Sequence, residues 1–172
     1  MIIIYILIAI IGLVLIIAAI LPGKYSIKKE IVINKPAAHV YERISNLNHY
    51  RDWNPWHKME QDAKSEITGA PGTVGHKFAW DGKKIGQGSL TIKGFTAPQE
   101  ITLDLEFIKP WKSTALDSWT FDDLQNGTTK VVWENNGPLT YPMARLMGPM
   151  INKNLNQQFE QGLKNLKELC EK

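Results

Sequence analysis

Four histidines, one cysteine and a scatter of carboxylates are the groups in this chain capable of metal, nucleophilic or proton-transfer chemistry. His39, His49, His57 and His76 show neither HxH nor HExxH spacing, and Cys170 stands alone, so no metal ligand set is written in the sequence. Gly82, Gly86 and Gly88 do not open a helix after a strand, which excludes a phosphate loop, and no cofactor is expected. A nucleophile needs a base and an orienting group. There is no GxSxG, and Cys170 falls on an apolar helix face, where a small buried hydrophobe is its expected role. Proton transfer remains. His76 shares the strand parity of Phe78 and Trp80, and Asp117 shares that of Trp119, so both are candidates to face an interior as acid or base. Neither sits in a motif that marks it as catalytic. Asp104 and Glu106 alternate against apolar neighbours and read as solvated.

The apolar inventory is richer than the ionisable one. Trp53 and Trp56 flank Asn54-Pro55 in a stretch that reads as a loop, because Asn-Pro favours a turn and the residue before proline is pushed out of the helical region. Phe78, Trp80, Phe107, Trp119 and Trp133 have inward parity on short strands. Met143, Met147 and Met150 cluster ahead of the last helix, and methionine suits both irregular gaps and adaptable binding surfaces. These ten residues are the candidate contacts for an apolar ligand. Plain core is the competing role for each of them, since only a fraction can line one cavity.

The elements that must position these side chains follow from periodicity. Met1 to Leu21 carries no charge, and at about 1.5 Å per residue it reaches roughly the 30 Å of a bilayer's hydrocarbon core. Residues 1–22 are expected to be a transmembrane anchor. A signal peptide would carry a basic start, a shorter apolar run and a small-x-small cleavage site, none of which is present. Lys24, Lys28 and Lys29 just beyond the span predict a single-pass protein of the inner, cytoplasmic membrane, with the following domain in the cytoplasm. The single cysteine is in keeping with that compartment. A net charge of +3 with scattered basic residues argues against nucleic acid as a partner. Oligomeric state is not legible.

Residues 25–172 make one domain of ordinary size. Tyr25 to Asn34 reads as a strand. Pro36 opens a helix, with Val40, Ile44 and Leu47 on one face. From about residue 64 to 136 the pattern is an antiparallel meander, with a strand from Val74 to Trp80, a hairpin signal at Asp81-Gly82, and clean alternation in Ile101 to Phe107. A long helix from Pro149 to Glu171 closes the chain, with a shorter turn before it and Gly148-Pro149 as the break. Helices on one side of an antiparallel sheet make an α+β fold.

The run from Tyr25 to Trp56, with its strand, proline-started helix and W-x-x-W segment, resembles the opening of the SRPBCC superfamily, the START and Bet v 1-like helix-grip fold. Gly75 to Ile92, Leu105 to Thr114, Lys130 to Trp133 and Phe159 to Lys167 extend the likeness. The whole is similar to the bacterial polyketide cyclase/dehydrase-like branch, including members with an N-terminal membrane helix. The resemblance implies a curved antiparallel sheet around a long C-terminal helix, with a cavity between them and Trp53 and Trp56 near its mouth. Together with the anchor, the short tether and the aromatic Trp53–Trp56 stretch, this fold leads to the expectation of an apolar or amphipathic small-molecule partner, a lipid, isoprenoid or polyketide-like ligand. A cyclase-like enzyme using the same cavity, and a membrane-localised interaction module with no ligand, stay open as alternatives.

Overall fold

In the computed structural model, which describes residues 1–172, the alternating stretches of the sequence become one seven-stranded antiparallel sheet. Its strands are β1 (Lys24–Ile33), β2 (Lys64–Thr68), β3 (Lys77–Asp81), β4 (Gln87–Thr96), β5 (Glu100–Lys109), β6 (Ser113–Asp123) and β7 (Thr129–Pro138). The spatial order is β1-β7-β6-β5-β4-β3-β2, so β2 to β7 form the expected meander and β1 returns beside β7. The helices are α1 (Ile2–Ile20), α2 (Ala37–Ser45), α3 (Tyr50–Trp53), α4 (Pro55–Met59) and α5 (Met143–Glu171). This is the helix-grip α+β arrangement: a curved sheet whose concave side is closed by α2 to α4 and the long α5.

Burial follows strand parity. Ala115, Asp117, Trp119 and Phe121 of β6 are buried while Thr114, Leu116 and Thr120 are exposed. Opposite them Val131, Trp133 and Asn135 of β7 are buried. Phe159, Leu163, Leu166 and Cys170 form the buried stripe of α5 at helical spacing and pack on this floor with Ile27, Ile33, Val40 and Ile44. Along β5 the inward residues change character: Ile101 and Leu103 are wholly buried, whereas Leu105 and Phe107 are only half-buried. That end of the concave face is where the core stops and a cavity begins.

Three local expectations change. The Trp53–Trp56 stretch is two short helices broken at Asn54, not a loop. Asn54 is extended, as a residue before proline should be, and its Oδ1 accepts the His57 backbone N–H at 3.1 Å, capping α4 with Pro55 in its first turn. The strand through His76 starts later, at Lys77, because the turn at Gly72 and Gly75, both at positive φ, occupies the preceding residues and leaves Val74 exposed. The last helix starts earlier. α5 is continuous from Met143 through Pro149, an exposed residue that lacks the N–H for one helical bond.

α1 is a single apolar helix with a mean hydropathy of 3.3, long enough to cross a membrane or to serve as a signal sequence. Its C-terminal turns touch the start of α5: the Tyr141 hydroxyl donates to the Leu15 carbonyl at 3.3 Å, and Arg145 Nη1 donates to the Ala19 carbonyl at 3.4 Å. Ala18, between them, is wholly buried.

Candidate functional site

The site grows out of a mismatch between one helix and one curved sheet. α5 packs tightly where Gly162 lets it approach, since a Cβ there would lie 2.9 Å from the Trp133 ring and 3.2 Å from Pro55. Two turns earlier the helix carries Leu155, and the sheet below has curved away. Between them lies a cavity of about 220 Å³. Its walls are mainly apolar and aromatic: Trp56, Phe78, Trp80, Phe107, Trp133 and Phe159 supply the rings. The rings also hold one another, with Trp133 stacked on Phe159 at 3.8 Å between centroids and Trp56 edge-on to both.

The polar groups on the cavity wall are few and specifically placed. Asp117 is 4% exposed. Its Oδ1 accepts from Trp133 Nε1 at 2.9 Å and Asn135 Nδ2 at 2.9 Å, and its Oδ2 accepts from Trp119 Nε1 at 3.1 Å and Trp133 Nε1 at 3.0 Å. Asn135 Oδ1 in turn accepts from the Tyr25 hydroxyl at 2.7 Å. Burial raises Asp117 to about 6, against the opposing pull of its three side-chain donors. Burial, then the charge on Asp117, pushes Tyr25 up to about 12, and the same two causes raise Tyr50. The cavity floor therefore holds a carboxyl served by neutral donors and touched by no cation.

Asn54 is the second polar point. It is 2% exposed and lines the cavity; its Oδ1 caps α4, which fixes the amide orientation, and its Nδ2 makes no hydrogen bond of ordinary geometry, its side chain only opposing the rise of the nearby Tyr50 hydroxyl. A buried donor left unpaired is costly, about 1–3 kcal/mol, and is rare in folded proteins. The rim is braced by ion–dipole contacts. Glu60 accepts from the backbone N–H groups of Lys83, Lys84 and Ile85 at 2.8, 2.8 and 3.1 Å, so that, although burial opposes it, these amides hold the carboxyl below its usual value and fix Ile85 on the wall. Arg51 Nε donates to His57 Nε2 at 2.9 Å; burial first and Arg51 second lower the His57 pKa.

Of the residues singled out by type and parity, Trp56, Phe78, Trp80, Phe107, Trp133 and Asp117 are brought together around this space. The others lie elsewhere. Trp53 and Trp119 are 1% exposed and belong to the core, edge-on to each other at 5.5 Å. The Trp53 carbonyl accepts from Asn165 Nδ2 at 2.9 Å, which ties α3 to α5. Met143 and Met150 are exposed and Met147 is half-buried, all three away from the cavity. His76 is wholly buried outside it, with both ring nitrogens occupied: Nε2 accepts from the Leu47 N–H at 3.0 Å, and Nδ1 donates toward the Thr68 and Gly69 carbonyls at 3.1 Å. It ties Leu47, in the turn between α2 and α3, to the end of β2 and the residue after it. Tyr25 and Asn135 were not singled out, although their parity with Ile27 and with Trp133 carried the signal; Asn54 carried none, since only its unpaired nitrogen marks it.

Comparison with known proteins places these features in a family. Residues 24–171 match the family model described as polyketide cyclase/dehydrase and lipid transport. Protein CV1439 from Chromobacterium violaceum has a similar structure, with a TM-score of 0.62 at 16% identity over 86% of this chain and 97% of that one. CalU16 from Micromonospora echinospora gives 0.57 at 14% over 84% and 75%. Norcoclaurine synthase from Thalictrum flavum, solved with dopamine and hydroxybenzaldehyde, gives 0.63 at 11% over 90% of each chain. At these identities the likeness is one of fold. No curated protein matches the chain by sequence.

Proposed function

The chain belongs to the polyketide cyclase/dehydrase and lipid transport family, and from that premise we propose that it is a membrane-tethered binding domain whose cavity takes one small amphipathic molecule. The observation that carries this is the cavity itself: a mainly aromatic space with the Asp117 carboxyl and the unpaired Asn54 Nδ2 inside it, and His57, Lys64 and Ser65 also on its wall. Affinity comes from the apolar body of the ligand, at roughly 25 cal/mol per Å² buried, and the polar points orient it. The ligand has a fused-ring or isoprenoid-like body and an oxygen that accepts from Asn54. α1 is the anchor, the flanking lysines put the domain on the cytoplasmic side, and the cavity draws its ligand from the adjacent bilayer.

The test is native mass spectrometry of the full chain released from nanodiscs, beside Leu105→Trp, which fills the cavity from its wall. A defined mass on the wild type that is lost in Leu105→Trp identifies a cavity ligand rather than a lipid held by the anchor. Equal adducts on both, or none on either against a panel of isoprenoids and aromatic polyketides, would sink the binding reading in favour of a ligand-free interaction module. Asn54→Ser keeps an oxygen to cap α4 and removes the amide donor; it should weaken binding about tenfold, as loss of one buried hydrogen bond of roughly 1.4 kcal/mol does.

A second reading is an acid–base enzyme in the same cavity. The observation favouring it is a carboxyl raised to about 6 on an apolar wall, which suits a general base near neutral pH. It requires that Asp117→Asn bind the ligand and leave it unchanged while the wild type converts it.

A further inference from the structure

The methionine cluster lines no part of the cavity, yet its surroundings give it an occupant. From Leu139 to Ile151 the chain carries a single charge, Arg145; Asn152, Lys153 and Asn154 then restore an ordinary polar surface. Within that stretch Tyr141, Met143 and Met150 are exposed, by 46%, 63% and 51%. A soluble helix start gains nothing by presenting such residues to water.

The neighbour of this stretch is α1. The Tyr141 hydroxyl meets the Leu15 carbonyl and Arg145 meets that of Ala19. Leu15 lies five residues before the end of α1, so in a helix that spans a bilayer it sits roughly 7.5 Å inside the point where α1 ends. Any group bonded to it is at the edge of the hydrocarbon. Tyrosine is a residue of that boundary, and Arg145 is placed as a snorkelling cation, with its stem along the apolar surface and its guanidinium 5.6 Å from the Tyr141 ring centroid and 3.4 Å from the Leu139 carbonyl. The sheet register adds a second feature at the same end: Lys24 of β1 pairs with Pro138, and the β5–β6 turn beyond Ser113 presents Trp111, 72% exposed, between Lys109 and Lys112.

We propose that the segment from Tyr141 to Met150 is sunk in the headgroup–acyl boundary of the bilayer that α1 spans, and holds the cavity end of the domain against that surface. The inference rests on α1 being an uncleaved spanning helix. Leu155, five residues past the segment, and Tyr25, next to the anchor, both line the cavity, so the buried stretch of α5 brings the cavity within about a turn and a half of helix from the lipid. The tether then acts as a fixed bracket, not a leash.

The test is depth-dependent quenching on the full chain in nanodiscs. Met143→Cys and Met150→Cys, each carrying an environment-sensitive fluorophore, are compared with Leu13→Cys inside α1 and Asn126→Cys in the β6–β7 turn at the opposite end of the sheet. Cys170 is buried and leaves the introduced thiol as the labelling site. The expected result is that brominated phospholipids quench the fluorophores at 143, 150 and 13, with blue-shifted emission, and leave that at 126 untouched. Quenching at 13 with none at 143 and 150 overturns the inference and leaves the anchor standing. No quenching at 13 removes the anchor, and the inference with it.

Discussion

The two halves of α5 are one helix in two different environments. From Phe159 onward its stripe of Phe159, Leu163, Leu166 and Cys170 is buried against the sheet, and Asn165 reaches across to the Trp53 carbonyl. Before Phe159 the only buried residue is Gly148. That half covers a cavity through Leu155 and leans on α1 through Arg145. The second half holds the fold; the first half is free to serve whatever enters the cavity or lies beside it. Tight packing is therefore concentrated in one half of a single element, with Phe159 at the boundary serving both the core and the cavity wall.

Substitutions on the two halves break this comparison if they fail to separate. Leu166→Ala, in the second half, should cost about 2–5 kcal/mol of unfolding free energy in urea, the range for a buried leucine whose cavity cannot collapse. A loss under 1 kcal/mol would mean that the second half is no more essential than the first. On the cavity floor, Asp117 makes stability fall as pH rises. Its folded-state pKa of about 6 exceeds the ordinary 3.8, so the native state holds the proton more tightly. The stabilisation is complete below the lower value and is lost as pH climbs through the upper one, on the order of 2–3 kcal/mol in all. The measurement is the difference in slope between wild type and Asp117→Asn from pH 4 to 7. Slope is the readout, because an amide nitrogen would face the indole N–H groups and shift the absolute value.

Gly162→Ala sharpens the boundary between the halves. A Cβ 2.9 Å from Trp133 pushes α5 off the sheet, while alanine's helix preference offsets part of the damage, leaving a net loss of about 1 kcal/mol in thermal unfolding. Met150→Ala should be the smallest effect, within about 0.5 kcal/mol in urea, since its side chain is half exposed and packs on no core. A loss beyond 1 kcal/mol there would show that the first half is structural after all.

How much of this was written in the sequence depends on whether one residue or a geometry carries the information. Period-two alternation fixes which face of β5, β6 and β7 is inward, so the sheet, its meander order and the inward parity of Asp117 and Trp133 were legible. Whether an inward side chain meets core or cavity depends on how far the sheet curves from α5, and no residue encodes that alone. Trp53 and Trp56, three residues apart, illustrate the limit: Asn54 breaks the helix between them, and one ring enters the core while the other lines the space. His76 had the right parity for the interior and the wrong end of it. The methionines stand out for their flexibility, but that the stretch carrying them meets α1, through Tyr141 and Arg145, emerges only when the chain ends of β1 and β7 are paired. Proline led to the opposite error, since Pro149 reads as a helix break and is instead carried on the exposed side of a continuous helix.

The stacked Trp119 and Trp133 rings, 4.4 Å apart and 19° from parallel, share the Asp117 carboxylate through their indole N–H groups. Two chromophores this close couple electronically, and both feel the same proton. Near-ultraviolet dichroism and tryptophan emission should therefore report the charge on Asp117 without any added label, so the protein carries its own optical gauge of that buried proton.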